Sequence, residues 1–209
     1  MSTDHSVEEE SVASEGAVIT DDDIIDQLAM QLNKAKMSPI CFVGEVNEEN
    51  SAQIISSFIA SHKAKLDKEV EDEEIEFFVN TEGGGAYEMF GIYDIMQHVK
   101  KDLDVKTIGI GKIMSAGVLL LAGGTKGKRF IGRNARVMIH NVISGQAGSI
   151  NTIQNEFEEV KEIQDSYIDN LADCSNLSSK EIKKLLSKNQ NIYLSAKKAI
   201  EYGFADQIL

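Results

Sequence analysis

Ser115 and His140 are the residues whose types and surroundings suit nucleophilic chemistry. Ser115 lies between a glycine-containing strand end (Gly109, Gly111) and an apolar helical run. That setting places its hydroxyl at a helix N-terminus, beside backbone N–H groups without a partner in the helix, where developing negative charge is stabilised. Ser-Ala-Gly is nevertheless a common tripeptide, and a serine so placed is more often an N-cap than a nucleophile. His140 ends the strand-like run Ala135, Arg136, Val137, Met138, Ile139. Its imidazole then stands at the rim of a sheet, where strand C-termini and ligands meet. His5 sits among acids, while His62 and His98 fall on helical segments among polar residues and are expected at the surface. Gly83, Gly84 and Gly85 follow a strand and open a helix, a geometry that presents backbone N–H groups to an anionic oxygen, or simply makes a tight turn. The Lys-Ser or Lys-Thr of a phosphate loop and the six-residue glycine spacing of a nucleotide fingerprint are missing, which favours an oxyanion hole over a phosphate cradle.

Alternating strands and helices must position these groups. Pro39 breaks the chain before Ile40 to Gly44, a compact apolar run read as a buried strand. Glu48 to Lys65 carries Ile54, Ile55, Phe58 and Ile59 on one face, as a helix packed on a sheet does. Strand-like segments follow at Ile75 to Asn80, Val105 to Ile110, Arg129 to Ile131 and Val137 to Ile139, with helices predicted over Tyr87 to Val99 and Ser115 to Ala122. Such β-β-α alternation predicts an α/β domain with mostly parallel strands. Ser149 to Asn170 reads as a long helix whose apolar stripe (Ile150, Ile153, Phe157, Val160, Ile163, Tyr167) packs on the core or against a second subunit. Short helices are expected at Ser179 to Lys188 and at Ser195 to Tyr202, the latter capped by Ser195 and stopped by Gly203.

A chain of 209 residues with 42% hydrophobic content can bury one substantial core. One domain over 24–209 is expected behind an acidic tail. Eight carboxylates and no Lys or Arg fall in residues 1–23, so the tail carries much of the net charge of -13 and should be disordered in isolation. A short helix is expected over 24–33, where an acidic first turn precedes Ile24, Ile25, Leu28 and Leu32. The charge argues against nucleic acid as a partner. No segment is apolar enough for a bilayer or a secretory signal, so a cytoplasmic setting is expected, in a bacterium, a phage-infected host or an organelle. Cys41 and Cys174 have neither disulfide nor zinc spacing and are expected to be buried thiols.

The order of glycine turn, Ser-Ala-Gly helix and strand-end histidine resembles the ClpP peptidases. FVNTEGGG (Phe78 to Gly85) is similar to the family's strand followed by Asn-Ser-Pro-Gly-Gly, and GIYDIM (Gly91 to Met96) to its next helix. GKIMSAGVLLLAGG (Gly111 to Gly124) looks like the nucleophile segment, KGKRF and ARVMIH like the histidine segment, and SAKKAIEYGFAD (Ser195 to Asp206) like the family's C-terminal motif. The resemblance implies a ClpP/crotonase-like spiral of β-β-α units with a protruding handle at about 141–174, built from the long helix and a preceding strand around Gly145 and Gly148. It implies that Ser115 attacks a scissile carbonyl, that His140 is the general base, and that the N–H groups of Gly84 and Ala116 form the oxyanion hole. It implies no metal or cofactor in this subunit. It further implies two stacked heptameric rings, homomeric or mixed with another ClpP-like subunit, fed with unfolded protein by an ATP-driven AAA+ unfoldase such as ClpX, ClpA or ClpC.

Three departures stand out. Asn191 takes the place of the Asp that orients the histidine, with Asn189 a secondary candidate, and an amide holds the ring without supplying charge, so slow turnover is expected. Glu82 replaces a proline beside the oxyanion glycines and slows catalysis unless its carboxylate points outward. The acidic N-terminus lacks the familiar apolar axial loop, which argues against docking to a standard unfoldase. Alternatives are a weakly active or inactive regulatory ring subunit, a phage-type capsid-maturation protease, and a crotonase-like acyl-CoA enzyme.

Overall fold

The computed structural model describes residues 36–71, 74–187 and 190–209, which belong to one compact unit. The expected tail over 1–23, the helix over 24–33 and Asn189 lie outside the described residues.

The described chain runs β1 (Ile40–Val46), α1 (Glu48–Leu66), β2 (Glu74–Gly84), α2 (Ala86–Val99), β3 (Asp104–Met114), α3 (Ala116–Ala122), β4 (Arg129–Ile131), β5 (Arg136–Ile139), α4 (Ile150–Asp173), α5 (Ser179–Leu186), β6 (Ile192–Ser195), α6 (Ala196–Glu201) and β7 (Gln207–Ile208). The main sheet, ordered β1-β2-β3-β4-β7, is parallel throughout, in line with the expected α/β class. β3 is long enough to serve two neighbours: Thr107 to Gly109 pair with β4, and Lys112 to Met114 pair with β5. β5 in turn pairs antiparallel with β6, a strand the sequence reading missed because four residues are too few to show alternation.

Several local expectations are corrected. Ile40 to Gly44 is a half-buried strand: Ile40 and Phe42 face the core while Cys41 and Val43 face outward, because β1 ends the sheet and one of its faces is open. Cys41 is therefore exposed, and Cys174 is half-buried with its Sγ 3.3 Å from the Tyr93 hydroxyl. His62 is buried, since its helix face packs on the end of α2; its Nε2 lies 2.8 Å from Asp102 Oδ2 and its ring stands edge-on to His98. His98 is exposed, as expected. Residues 140–148 form no strand, because the described chain offers that segment no strand to pair with, and Ile143 is left exposed.

α3 is the anchor of the site. Val118, Leu119, Leu120 and Leu121 are wholly inaccessible to solvent, and burying each contributes about 1.5–3 kcal/mol. A guanidinium locks the far end of this helix to the chain terminus. Arg129, almost completely buried, donates through Nε and Nη2 to Asp206 at 2.9 and 2.6 Å and through Nη1 to the carbonyls of Ala122 and Cys174. Burial alone raises the Asp206 pKa, but the hydrogen bonds and charge of Arg129, with the N–H groups of Arg129 and Gly127, outweigh it and hold the carboxyl below its usual range. A carboxyl with a depressed folded pKa contributes stability that is complete above its unfolded pKa of about 3.9 and is lost as pH falls through the folded value. Asp206→Asn is expected to destabilise the fold by about 2–3 kcal/mol at pH 7, somewhat under the loss for a fully buried pair because Asp206 keeps some exposure. Denaturant titrations at pH 7 and pH 3 check this, since the difference between parent and variant must shrink at the lower pH.

Candidate active site

β3 delivers the chain to Ser115 and α3 carries it away, so this residue is the corner between strand and helix. Its backbone sits at φ 54, ψ -120, a region that costs a non-glycine residue about 1–3 kcal/mol. That is well within what the buried face of α3 supplies. Ser115 occupies the N-cap position of α3, yet its side chain makes no capping hydrogen bond. The common structural role of a serine at this place is thus declined, and its hydroxyl is left available. Ala116 opens the helix, so its N–H is a first-turn donor without an intrahelical acceptor.

The glycine segment is the bulged end of a strand and not a tight turn. Val46 pairs with Gly84, and the register with β1 slips between Val43 and Glu45. Gly83 and Gly84 adopt φ 97 and 150. A Cβ on Gly84 would lie 2.1 Å from the Val46 carbonyl oxygen, and one on Gly83 would lie 2.6 Å from Ser115 Cβ. Both positions exclude side chains because β1 and the serine corner crowd them.

Ser115, His140, Gly84 and Ala116 line one cleft of about 340 Å³, together with Glu82, Met89, Val142, Ile143 and Tyr167. The space suits a substrate side chain. His140 Nδ1 is buried and has no hydrogen-bond partner among the described residues. Asn191 is not among the lining residues and is exposed. The last rung of the β5–β6 ladder pairs Ile139 with Ile192, so His140 and Asn191 are the residues next to it in the two segments.

Glu82 lines the cleft but does not stand uncompensated. Lys112 Nζ lies 2.5 Å from Glu82 Oε2, and that hydrogen bond holds the carboxyl below its usual range. The partner is a residue of β3, which runs beside β2 and was overlooked in the sequence for want of the register. Lys112→Met is expected to slow turnover about two- to fivefold by freeing negative charge beside Gly84, the range of a solvent-exposed pair, with the deficit shrinking in high salt. Steady-state rates at low and high ionic strength check it, and Glu82→Gln in the same chain must restore the rate.

The chain is a serine-type endopeptidase by its family. A family model described as Clp protease matches residues 21–209. The chain is 33% identical over 171 residues to ATP-dependent Clp protease proteolytic subunit 1 of Prochlorococcus marinus strain MIT 9312, covering 81% of this chain and 83% of that one. It is 32% identical over 171 residues to the protein of the same description in P. marinus subsp. pastoris strain CCMP1986, with the same coverage. The chain belongs to the Clp protease family. Among the described residues, no helix is long and apolar enough to cross a membrane.

Proposed function

We propose that this chain is a low-activity proteolytic subunit of a self-compartmentalising Clp-type barrel, cutting unfolded polypeptides with Ser115 as nucleophile, His140 as general base and Asn191 as the group that orients the imidazole. The observation that carries the reading is the strained Ser115, uncapped at a helix N-terminus in the same cleft as His140. Attack of Ser115 Oγ on a scissile carbonyl passes the hydroxyl proton to His140, and the tetrahedral oxyanion is received by the N–H groups of Gly84 and Ala116. His140 then protonates the leaving amine, and water repeats the sequence to release the acyl group.

The barrel is supported by α4. Its C-terminal half buries Ile163, Tyr167, Ile168 and Leu171, whereas Ile150 and Phe157 in its N-terminal half are 83% and 68% exposed. A second Clp-type subunit, identical or not, is the occupant that suits this apolar stretch and segment 140–148, which forms no strand. An AAA+ unfoldase using ATP would supply substrate, and the setting would be cytoplasmic. The unpartnered Nδ1 of His140 favours one second reading, a ring subunit whose serine is too poorly activated to matter.

A serine-reactive fluorophosphonate tests the two. Covalent labelling of the assembled protein, located at Ser115 by peptide mass mapping, is the expected result; assembly without any adduct would sink the proteolytic reading and leave the ring-subunit one.

A further inference from the structure

We propose that Tyr167 and Gln164, one turn apart on α4, are positioning residues that hold the Ser115 corner and the His140 segment in place relative to each other. The inference rests on the proteolytic reading of this cleft. Tyr167 donates from its hydroxyl to the backbone carbonyl of Ser115 at 3.3 Å, and Gln164 Oε1 accepts from the N–H of Val142, two residues past His140, at 2.6 Å. Residues three apart on a helix share a face, so one stretch of α4 grips both halves of the site.

These grips act where the backbone most needs them. Ser115 is strained, and its N–H donates to the Met138 carbonyl at 2.8 Å while its own carbonyl receives Val118 N–H at 3.0 Å. The Tyr167 hydroxyl is the side-chain group added to that arrangement. The segment after His140 has no strand ladder, so Gln164 replaces a bond the sheet does not provide. Tyr167 is buried, and burial pushes its phenol pKa up, so the hydroxyl remains a donor across the working range and takes no part as a base.

The test uses the full-length assembled protein with Tyr167→Phe, which keeps the ring and removes the hydroxyl, and Gln164→Met as a second variant. Amide hydrogen exchange should quicken about three- to tenfold at Ser115 and Val118 in the first and at Val142 in the second, with Phe77 and Val79 in β2 unchanged. Fluorophosphonate labelling and kcat should fall about three- to tenfold with KM held. Unchanged exchange at those amides, or an equal rise throughout β2, would overturn the proposal. Exchange that behaves as expected in a parent protein that never labels would instead leave the positioning role standing and remove the proteolytic one.

Discussion

Ser115→Ala is expected to abolish fluorophosphonate labelling and to lower hydrolysis of a small fluorogenic peptide by at least about a hundredfold. The size follows from two magnitudes. Removing the nucleophile of a complete Ser-His-Asp site costs about a millionfold in turnover, the remainder coming from oxyanion stabilisation and binding. Replacing the Asp of such a site with Asn costs up to about ten-thousandfold. A chain built with Asn therefore starts lower and has less to lose, and its drop lies between about a hundredfold and a millionfold. The variant should fold normally, because the Ser115 side chain makes no cap bond for alanine to forfeit. Residual hydrolysis within tenfold of the parent, after removal of any contaminating peptidase, would show that Ser115 Oγ does not carry the acyl group.

The companion prediction runs the other way. Asn191→Asp is expected to raise turnover by about a hundredfold or more, with little change in KM. Asn191 immediately precedes Ile192, the ladder partner of Ile139, and His140 Nδ1 is buried without a partner among the described residues. A carboxylate there accepts the Nδ1–H bond, enforces the tautomer that leaves Nε2 free to take the serine proton, and stabilises the imidazolium that results. A hundredfold is about 2.7 kcal/mol, within the 1.5–3 kcal/mol of a hydrogen bond to a charged group. The two variants are linked: the more Asn191→Asp gains, the larger the loss that Ser115→Ala must produce when built into it, approaching a millionfold. An Asp variant no faster than the parent assigns the orienting role elsewhere, and Asn189 is the next residue to change.

Much of this molecule was legible in residue order. The apolar spacing of Glu48 to Lys65 and of Tyr87 to Val99 and the Ser-Ala-Gly helix all correspond to elements within a few residues of the expected bounds. The seven-residue α3 was recognisable because its run of Val118, Leu119, Leu120 and Leu121 has no polar face. Ambiguity began where two segments must meet. Ser115 read more readily as a cap than as a nucleophile, and its positive φ and its missing cap bond, neither of which any local pattern encodes, show only that it does not cap α3. Likewise Glu82 looked like an isolated carboxylate until the alignment of β2 with β3 gave it Lys112.

Residue type and short-range periodicity were enough to specify the kinds of element, their order and the groups able to do chemistry, because φ/ψ preferences and one-sided burial act over a few neighbouring residues. Tertiary structure alone decided which of those groups share a cleft, that His62 is buried and Cys41 is not, and that Tyr167 reaches the carbonyl of Ser115. Each of these depends on strand register and on which faces of separate elements press together, contacts between residues far apart in the chain that no local pattern carries.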